Sequence, residues 1–316
     1  MATLNQLSSL VNTGNTGVGS VSFDPKNIVG AILCPKGYEV DVTALQANLI
    51  AGTHNAIKAQ RLYPVYDFEN TTDSSEQKVE QTMNNGSVHV VREGLMKWAF
   101  EFFAGGLSLL SRLRLFNGSA WDFLFIDANM TIIGIQGSTP NKLKAIPSTN
   151  GRFWAPPLKI NDGSKITSYM VEFAFQQRYI SDLNLVAFVA AGFDIPTVVF
   201  GLQDVNLTGV ADATSGSYDI TAVTAAAQTN MGDIYPTALA VGSLWTAINT
   251  ATGLSIPILS VTFNPVAKTY VIALDKTSLN YPSSGTVTIN LAAPSVLQAA
   301  AVDGYESTGG VAIVKN

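Results

Sequence analysis

The stretch VHVVREGLMKWAFEFF, residues 88–103, contains the alternating run that decides the fold. From residue 88 to residue 102 one set of alternate positions is strongly apolar, whereas the other set includes Glu93, Lys97 and Glu101. A period of two is the pattern of a β-strand with one buried face. The run therefore predicts one long strand, with these residues on its apolar face: Val88, Val90, Arg92, Gly94, Met96, Trp98, Phe100 and Phe102.

A helix and a hairpin are predicted directly downstream. Gly105 and Gly106 interrupt the strand, and leucines then recur at helical spacing from residue 107 to residue 115, before the stop signal at Asn117-Gly118. Asp127 and Asn129 suit the tight turn of the hairpin that follows. We expect its strands over 121–126 and 131–135, and further strands over 142–147, 152–160 and 166–176.

A second, shorter helix is predicted nearer the N-terminus. Asp41 or Thr43 could cap it, Leu45 and Leu49 would share one side, and Gly52 would end it. Residues 1–30 are rich in Ser, Thr, Asn and Gly, which predicts an extended N-terminal arm.

A polar stretch of about 20 residues, DFENTTDSSEQKVEQTMNNG at 67–86, precedes the alternating strand. Loops of that length inside a compact domain are usually functional or ordered by a partner. We therefore predict an inter-subunit loop whose charged residues take part in contacts between copies: Asp67, Glu69, Asp73, Glu76, Lys78 and Glu80.

The chain changes character near residue 200. There are 15 basic and 16 acidic residues before Thr197 but only 3 basic and 7 acidic residues after it. We place a domain boundary between residues 198 and 203, so that a β domain spans 31–200 and a second domain spans 201–316.

Seven short apolar runs, spaced by turn residues, predict a β-sandwich in the second domain. The runs are 205–210, 218–223, 244–250, 258–263, 270–274, 286–291 and 310–314. The domain has no cysteine pair, so its expected likeness to an immunoglobulin domain is one of architecture only.

The composition favours an obligate oligomer. Only 13% of the residues are charged and 47% are hydrophobic, so little of the surface can be ionic. No apolar run reaches the roughly 18 residues that a membrane helix needs; the best one, residues 185–193, is followed by Asp194. No secretory signal is visible at the N-terminus, which favours assembly in a cytoplasm without membrane insertion.

The sequence offers no catalytic, cofactor-binding or metal-binding motif. Cys34 is the only cysteine, and His54 and His89 are the only histidines, so we expect a buried inert thiol and no nucleophilic site. The Gly-rich segment 14–19 lacks the lysine of a phosphate-binding loop. The acidic residues of 67–86 lack the spacing of a calcium loop. Most of the aromatic residues alternate within strands, which favours core packing.

The order of elements in residues 30–195 resembles that of bacteriophage tail-tube proteins. The likeness rests on a long polar loop, the strand ending FEFF at 100–103, one helix, the hairpin WDFLFID at 121–127 with TIIGI at 131–135, and the strand ITSYMVEFAFQ at 166–176. It implies a mainly β fold: a tail-tube-like β-sandwich or barrel with one or two short helices, followed by an immunoglobulin-like β-sandwich.

The same resemblance implies a structural virion protein that self-assembles into stacked rings and forms the tail tube. Its partners would be copies of itself, other virion proteins, and DNA that passes through the lumen without specific binding. Two alternatives stay open at this point: another phage structural protein, such as a neck or connector ring or a capsid protein, and a β-sandwich surface adhesin.

Overall fold

The computed structural model describes residues 5–6, 27–103, 106–160, 163, 166–176, 185–190, 192–211 and 217–315. It is mainly β, with several sheets and few short helices, which confirms the predicted fold class. The chain divides into two compact units: one contains residues up to Phe200 apart from 54–56, and the other contains His54–Ala56 and Gly201–Asn316. Most of the predicted N-terminal arm lies outside the described residues.

Antiparallel strands build the first unit. They are β1 (Asn5–Gln6), β2 (Ile28–Pro35), β3 (Glu39–Asp41), β4 (Tyr63–Tyr66), β5 (Asn70–Asp73), β6 (Val79–Thr82), β7 (Val88–Arg92), β8 (Leu95–Phe102), β9 (Trp121–Asp127), β10 (Thr131–Gln136), β11 (Lys142–Lys144), β12 (Ser148–Trp154), β13 (Tyr169–Gln176) and β14 (Leu185–Val189).

These strands form three sheets. The large sheet runs β1-β14-β10-β9-β2-β4, and β11 links β10 to β3 at its side. A four-stranded sheet runs β12-β13-β8-β5, and β6 and β7 form a separate two-stranded sheet.

The helices of the first unit are short. They are α1 (Leu45–Thr53), α2 (Gly106–Arg114) and α3 (Ile195–Val198), with 3-10 turns at Val42–Ala44 and Lys58–Gln60. Both predicted helices are confirmed. The Asp41 side chain caps the 3-10 turn Val42–Ala44 that leads into the first one, by accepting a hydrogen bond from the backbone N–H of Thr43 at 2.9 Å.

The large sheet is covered on both faces. One face packs on the four-stranded sheet through an aromatic core that includes Phe100, Phe123, Phe125 and Phe173, with Leu110 of α2 at its border. The other face is covered by α1 and α3, which form a second core with Ile32, Leu124 and Val186. Among the described residues, no core cluster lies on the other face of the four-stranded sheet, which is called its uncovered face below.

The second unit is a sandwich of two sheets around one core. Its strands are β15 (Gln203–Ala211), β16 (Ser217–Thr224), β17 (Trp245–Asn249), β18 (Ile258–Asn264), β19 (Thr269–Leu274), β20 (Gly285–Leu291), β21 (Tyr305–Ser307) and β22 (Val311–Lys315), with short helices α4 (Met231–Ile234) and α5 (Pro294–Ala299) and a 3-10 turn at Gly242–Leu244. One sheet runs β18-β19-β16-β15-β21 and the other runs β17-β20-β22.

All seven strands predicted in this part are present. Residues Tyr218, Tyr270 and Ile272 from one sheet meet Trp245 and Ile289 from the other in the core. The prediction missed β21, which has only three residues and pairs in parallel with β15, so it carries too little alternation to be recognised.

The single strand predicted over residues 88–102 is wrong in one respect. The run is broken between Arg92 and Leu95 into β7 and β8, which belong to different sheets. Gly94 lies at the break, where a Cβ atom would come within 1.7 Å of the backbone oxygen of Glu76. Only Met96, Trp98, Phe100 and Phe102 of the predicted apolar face contribute to the core.

Candidate functional site

The β6–β7 hairpin, residues 79–92, is called the arm below and is distinct from the predicted N-terminal arm of residues 1–30. Its strands pair Thr82 with Val88, Gln81 with His89 and Glu80 with Val90, and a bulge then shifts the register before Val79. Residues 83–87 close the turn, in which Gly86 has a φ of 83° and its N–H donates to the Met83 carbonyl at 2.9 Å. The positive φ favours glycine at that position.

Every strand residue of the arm is exposed, although several are large and apolar. Val79, Met83, Val88, Val90 and Val91 keep between 41% and 60% of their surface accessible. A two-stranded hairpin is marginally stable in water when nothing packs on it. A cluster of exposed apolar side chains on such an element is typical of a surface that another protein covers.

The base of the arm is held to the four-stranded sheet. The backbone N–H groups of Ser74 and Glu76 donate to the carbonyls of Lys97 and Leu95 at 2.9 and 2.8 Å, so this segment continues the β5–β8 ladder up to the arm. Lys97 Nζ donates to Glu76 Oε1 at 2.7 Å, and Arg92 lies 3.7 Å from the same carboxylate. The hydrogen bond and charge of Lys97 lower the pKa of Glu76.

The six predicted contact residues do not lie in one loop, and that part of the prediction is wrong. Asp67 is in the turn before β5, with a φ of 63°, and Glu69 donates its backbone N–H to the Glu101 carbonyl at 2.9 Å. Asp73 ends β5 and accepts from the Ser75 N–H at 2.9 Å. Lys78 and Glu80 form an exposed ion pair of 2.5 Å at the start of the arm.

The sequence pattern predicted a loop because the side chains of this segment show no strand pattern. Backbone pairing with neighbouring strands, and not side-chain burial, makes parts of it β-strand. Residues 70–73 and 79–82 are fully exposed strands without any apolar alternation. Their positions are set by ladders to β8 and β7. Only the apolar spacing within Val88–Val91 could have suggested a partner strand there.

The uncovered face of the four-stranded sheet is a second candidate surface that the sequence analysis did not single out. The residues alternating with the buried aromatics point to it: Lys97, Ala99 and Glu101 on β8 and Met170, Glu172 and Ala174 on β13. Ser168 Oγ and Asn70 Nδ2 both donate to the Glu101 carboxylate, the latter at 3.3 Å. On this face Lys97, Glu101, Met170 and Glu172 are half-buried, and Ala99 and Ala174 between them are buried.

Of the two outermost strands of that sheet, β5 has an open edge, whereas the edge of β12 is partly occupied. The Gly118 N–H donates to the Phe153 carbonyl at 3.3 Å, and the Asn117 side chain bonds both backbone groups of Ala155. Within the described part of the chain, β5 pairs only with β8, and β12 pairs only with β13. Trp154 at the end of β12 remains 50% exposed. An open edge presents N–H and C=O groups to which a strand of another chain can pair.

Neither Cys34 nor the Ser87–His89 pair has the surroundings of an activated nucleophile. Cys34 is fully buried, and burial raises the pKa of its thiol, which disfavours the reactive thiolate. His89 Nε2 lies 3.3 Å from Ser87 Oγ, but that hydroxyl has one proton and is closer, at 2.7 Å, to Asn85 Oδ1. Asn85, Ser87 and His89 all lie on the exposed arm.

The described residues contain no cluster of three or more His, Cys, Asp or Glu side chains suited to a metal ion. None of the helices seen there has the length and apolarity required to cross a bilayer.

Comparison of the chain with protein families, with curated proteins and with solved structures finds no match.

Proposed function

We propose that this protein is a structural subunit that self-assembles, and that the assembly is a phage tail tube through which DNA passes. The observation that carries the proposal is the arm, a hairpin whose strand residues are all exposed and that carries five large apolar side chains. Such a hairpin gains stability when a neighbouring copy covers it.

The edge of β5 and the part of the β12 edge before Phe153 support a ring. They lie at the two ends of the same sheet, so pairing of β5 in one copy with residues 148–152 of the next would continue the sheet from copy to copy. Head-to-tail contacts of this kind form closed rings when the rotation closes. In such a ring the joined four-stranded sheets would have no remaining edge, which suits a chain with only 13% charged residues.

The uncovered face of the four-stranded sheet would then line the lumen. It presents Glu101 and Glu172, and the Lys97 ammonium on it is paired with Glu76. Carboxylates repel the phosphate backbone, so DNA could slide along this face without adhering. The second unit, residues 201–316, would be a domain carried by each subunit of the tube.

The test is negative-stain electron microscopy of the purified full chain over a concentration series. We expect hollow rings that stack into tubes as the concentration rises. Val90→Asp in the arm should shift assembly to at least tenfold higher concentration, because it buries a charge in the contact. The matched control is Val210→Asp, which alters an exposed valine of the second unit and should leave assembly unchanged.

The outcomes separate the candidate functions. A monomer at every concentration would contradict self-assembly and favour a surface adhesin. Single rings that never stack would favour a neck or connector ring over a tube.

A further inference from the structure

We infer that the arm of one copy docks on the C-terminal end of helix α2 and the turn after it in another copy, with the Glu80–Val90 face of the arm against Arg114 and Leu115. The inference rests on the proposed function, because it assigns the contact that joins one subunit to the next. It follows from complementary surfaces that are both exposed in the single chain.

The arm has one face that combines apolar residues with a carboxylate. Because Glu80 pairs with Val90 and Thr82 pairs with Val88, the four side chains lie on the same side of the hairpin. The Glu80 carboxylate also meets Lys78, but an ion pair between exposed side chains contributes little and exchanges easily. Glu80 can therefore take a cation of a partner.

Helix α2 has the opposite charge and similar apolar exposure. Leu110 and Leu113 are buried in the core, whereas Leu107 and Leu115 remain 64% and 70% exposed. Arg112 and Arg114 lie in the last turn of the helix, and residues 103–121 contain no acidic residue. By contrast, residues 67–93 contain six carboxylates against Lys78 and Arg92, a net charge of −4. Opposite potentials of this kind steer two surfaces together and fix their register.

The contact must join different copies. The arm leaves β8 at its N-terminal end, near Leu95, whereas α2 begins four residues after Phe102 at the other end of that strand. An eight-residue strand spans roughly 26 Å. Since the arm and Leu115 are both exposed, neither covers the other within one chain. A contact between two different patches is heterologous, so it propagates from copy to copy in a ring or a filament.

The first test is cross-linking of the full-length chain between introduced cysteines, which is clean because the native Cys34 is fully buried. Val90→Cys and Leu115→Cys chains are mixed under assembling conditions and treated with a short bismaleimide. We expect a cross-linked heterodimer. The control pairs Val90→Cys with Leu259→Cys, an exposed leucine of the second unit, and should give none. Equal cross-linking in both mixtures, or in neither, would overturn the assignment.

The second test is charge reversal. Glu80→Arg and Arg114→Glu should each raise the concentration needed for assembly by at least fivefold, and the double variant should recover at least half of that loss. Lys268→Glu, which changes the net charge in the second unit by the same amount as Arg114→Glu does in the first, should have no effect on assembly. Polymers that form normally in both single variants would overturn the docking assignment but leave self-assembly standing. A wild-type chain that never assembles would instead refute the proposed function.

Discussion

Lys97 Nζ lies 2.7 Å from Glu76 Oε1, and this ion pair ties strand β8 to the segment that leads into the arm. Both side chains keep about a third of their surface accessible, at 32% and 35%. The pair is therefore a positioning contact at the surface and a minor contribution to stability. It places the polar segment before the arm beside the strand that anchors the fold.

Replacing Lys97 with Met should raise the pKa of the Glu76 carboxyl towards its ordinary value, because the hydrogen bond and charge of Lys97 are the two largest causes of its lowering. The pairing is present above the ordinary pKa of a glutamate and is lost as the pH falls through the lowered value. Carbon-detected NMR titration of the carboxyl measures the shift. Lys78→Met is the control, since Lys78 pairs with Glu80; an equal response in the two variants would contradict the assignment.

Gly94→Ala should displace the base of the arm and destabilise the first unit by about 1–3 kcal/mol, the usual cost of overpacking. The added Cβ would lie 1.7 Å from the Glu76 backbone oxygen, which cannot rotate away as a side chain can. Urea unfolding measures the change. Gly201→Ala, where no atom lies within 4 Å of the new Cβ, should be neutral. A neutral Gly94→Ala variant would mean that the close contact does not exist in solution.

Phe173→Ala should cost about 3–5 kcal/mol of unfolding free energy, as is typical when a buried aromatic ring is removed. Phe173 is fully buried, and its ring lies 4.7 Å from Phe123 and 5.4 Å from Phe125. Trp154→Ala on the neighbouring strand β12 removes a larger but half-exposed ring and should cost far less. Denaturant titration followed by near-UV circular dichroism compares the two; equal losses would contradict the core described here.

Asp122→Asn should change the pH dependence of stability. Burial raises the pKa of Asp122, although the Gly37 N–H donates to its carboxylate at 2.6 Å. A raised pKa means that the wild type loses stability as the pH rises through that value, and the uncharged amide avoids this loss. The stability of the variant relative to wild type should therefore increase between about pH 3 and 7, as measured by urea unfolding at each pH.

Asp275→Asn gives the opposite sign and serves as the matched control for Asp122. The hydroxyl and the N–H of Thr277 donate to Asp275 and lower its pKa, so this carboxylate stabilises the fold above its ordinary pKa. Its variant should lose stability relative to wild type as the pH rises. Parallel trends in the two variants would mean that the response is general and not local.

Local patterns were sufficient to predict the two longer helices and many of the strands, although not the buried strands β2, β4 and β14. The leucine spacing located α2, the Asp127 turn located β9 and β10, and the alternating runs after residue 200 located seven strands. Each pattern works because the side chains that bury themselves are close in sequence. The exposed strands β5 and β6 have no such pattern, because backbone hydrogen bonds to β8 and β7 position them and burial of their own side chains does not.

By itself the sequence determined the mainly β class, the place where its composition changes and the helices with one apolar side, because burial of alternating or helically spaced side chains is a local property. Only the tertiary structure decided that the run from Val88 to Phe102 divides at Gly94. The alternation of side chains continues unbroken through Gly94. Only the approach of the Glu76 backbone to Gly94 shows that residues 88–92 are not part of the four-stranded sheet. The exposed arm and the position of β5 and β12 at the two ends of their sheet follow from that division and from sheet order, which depend on contacts between residues far apart in the chain.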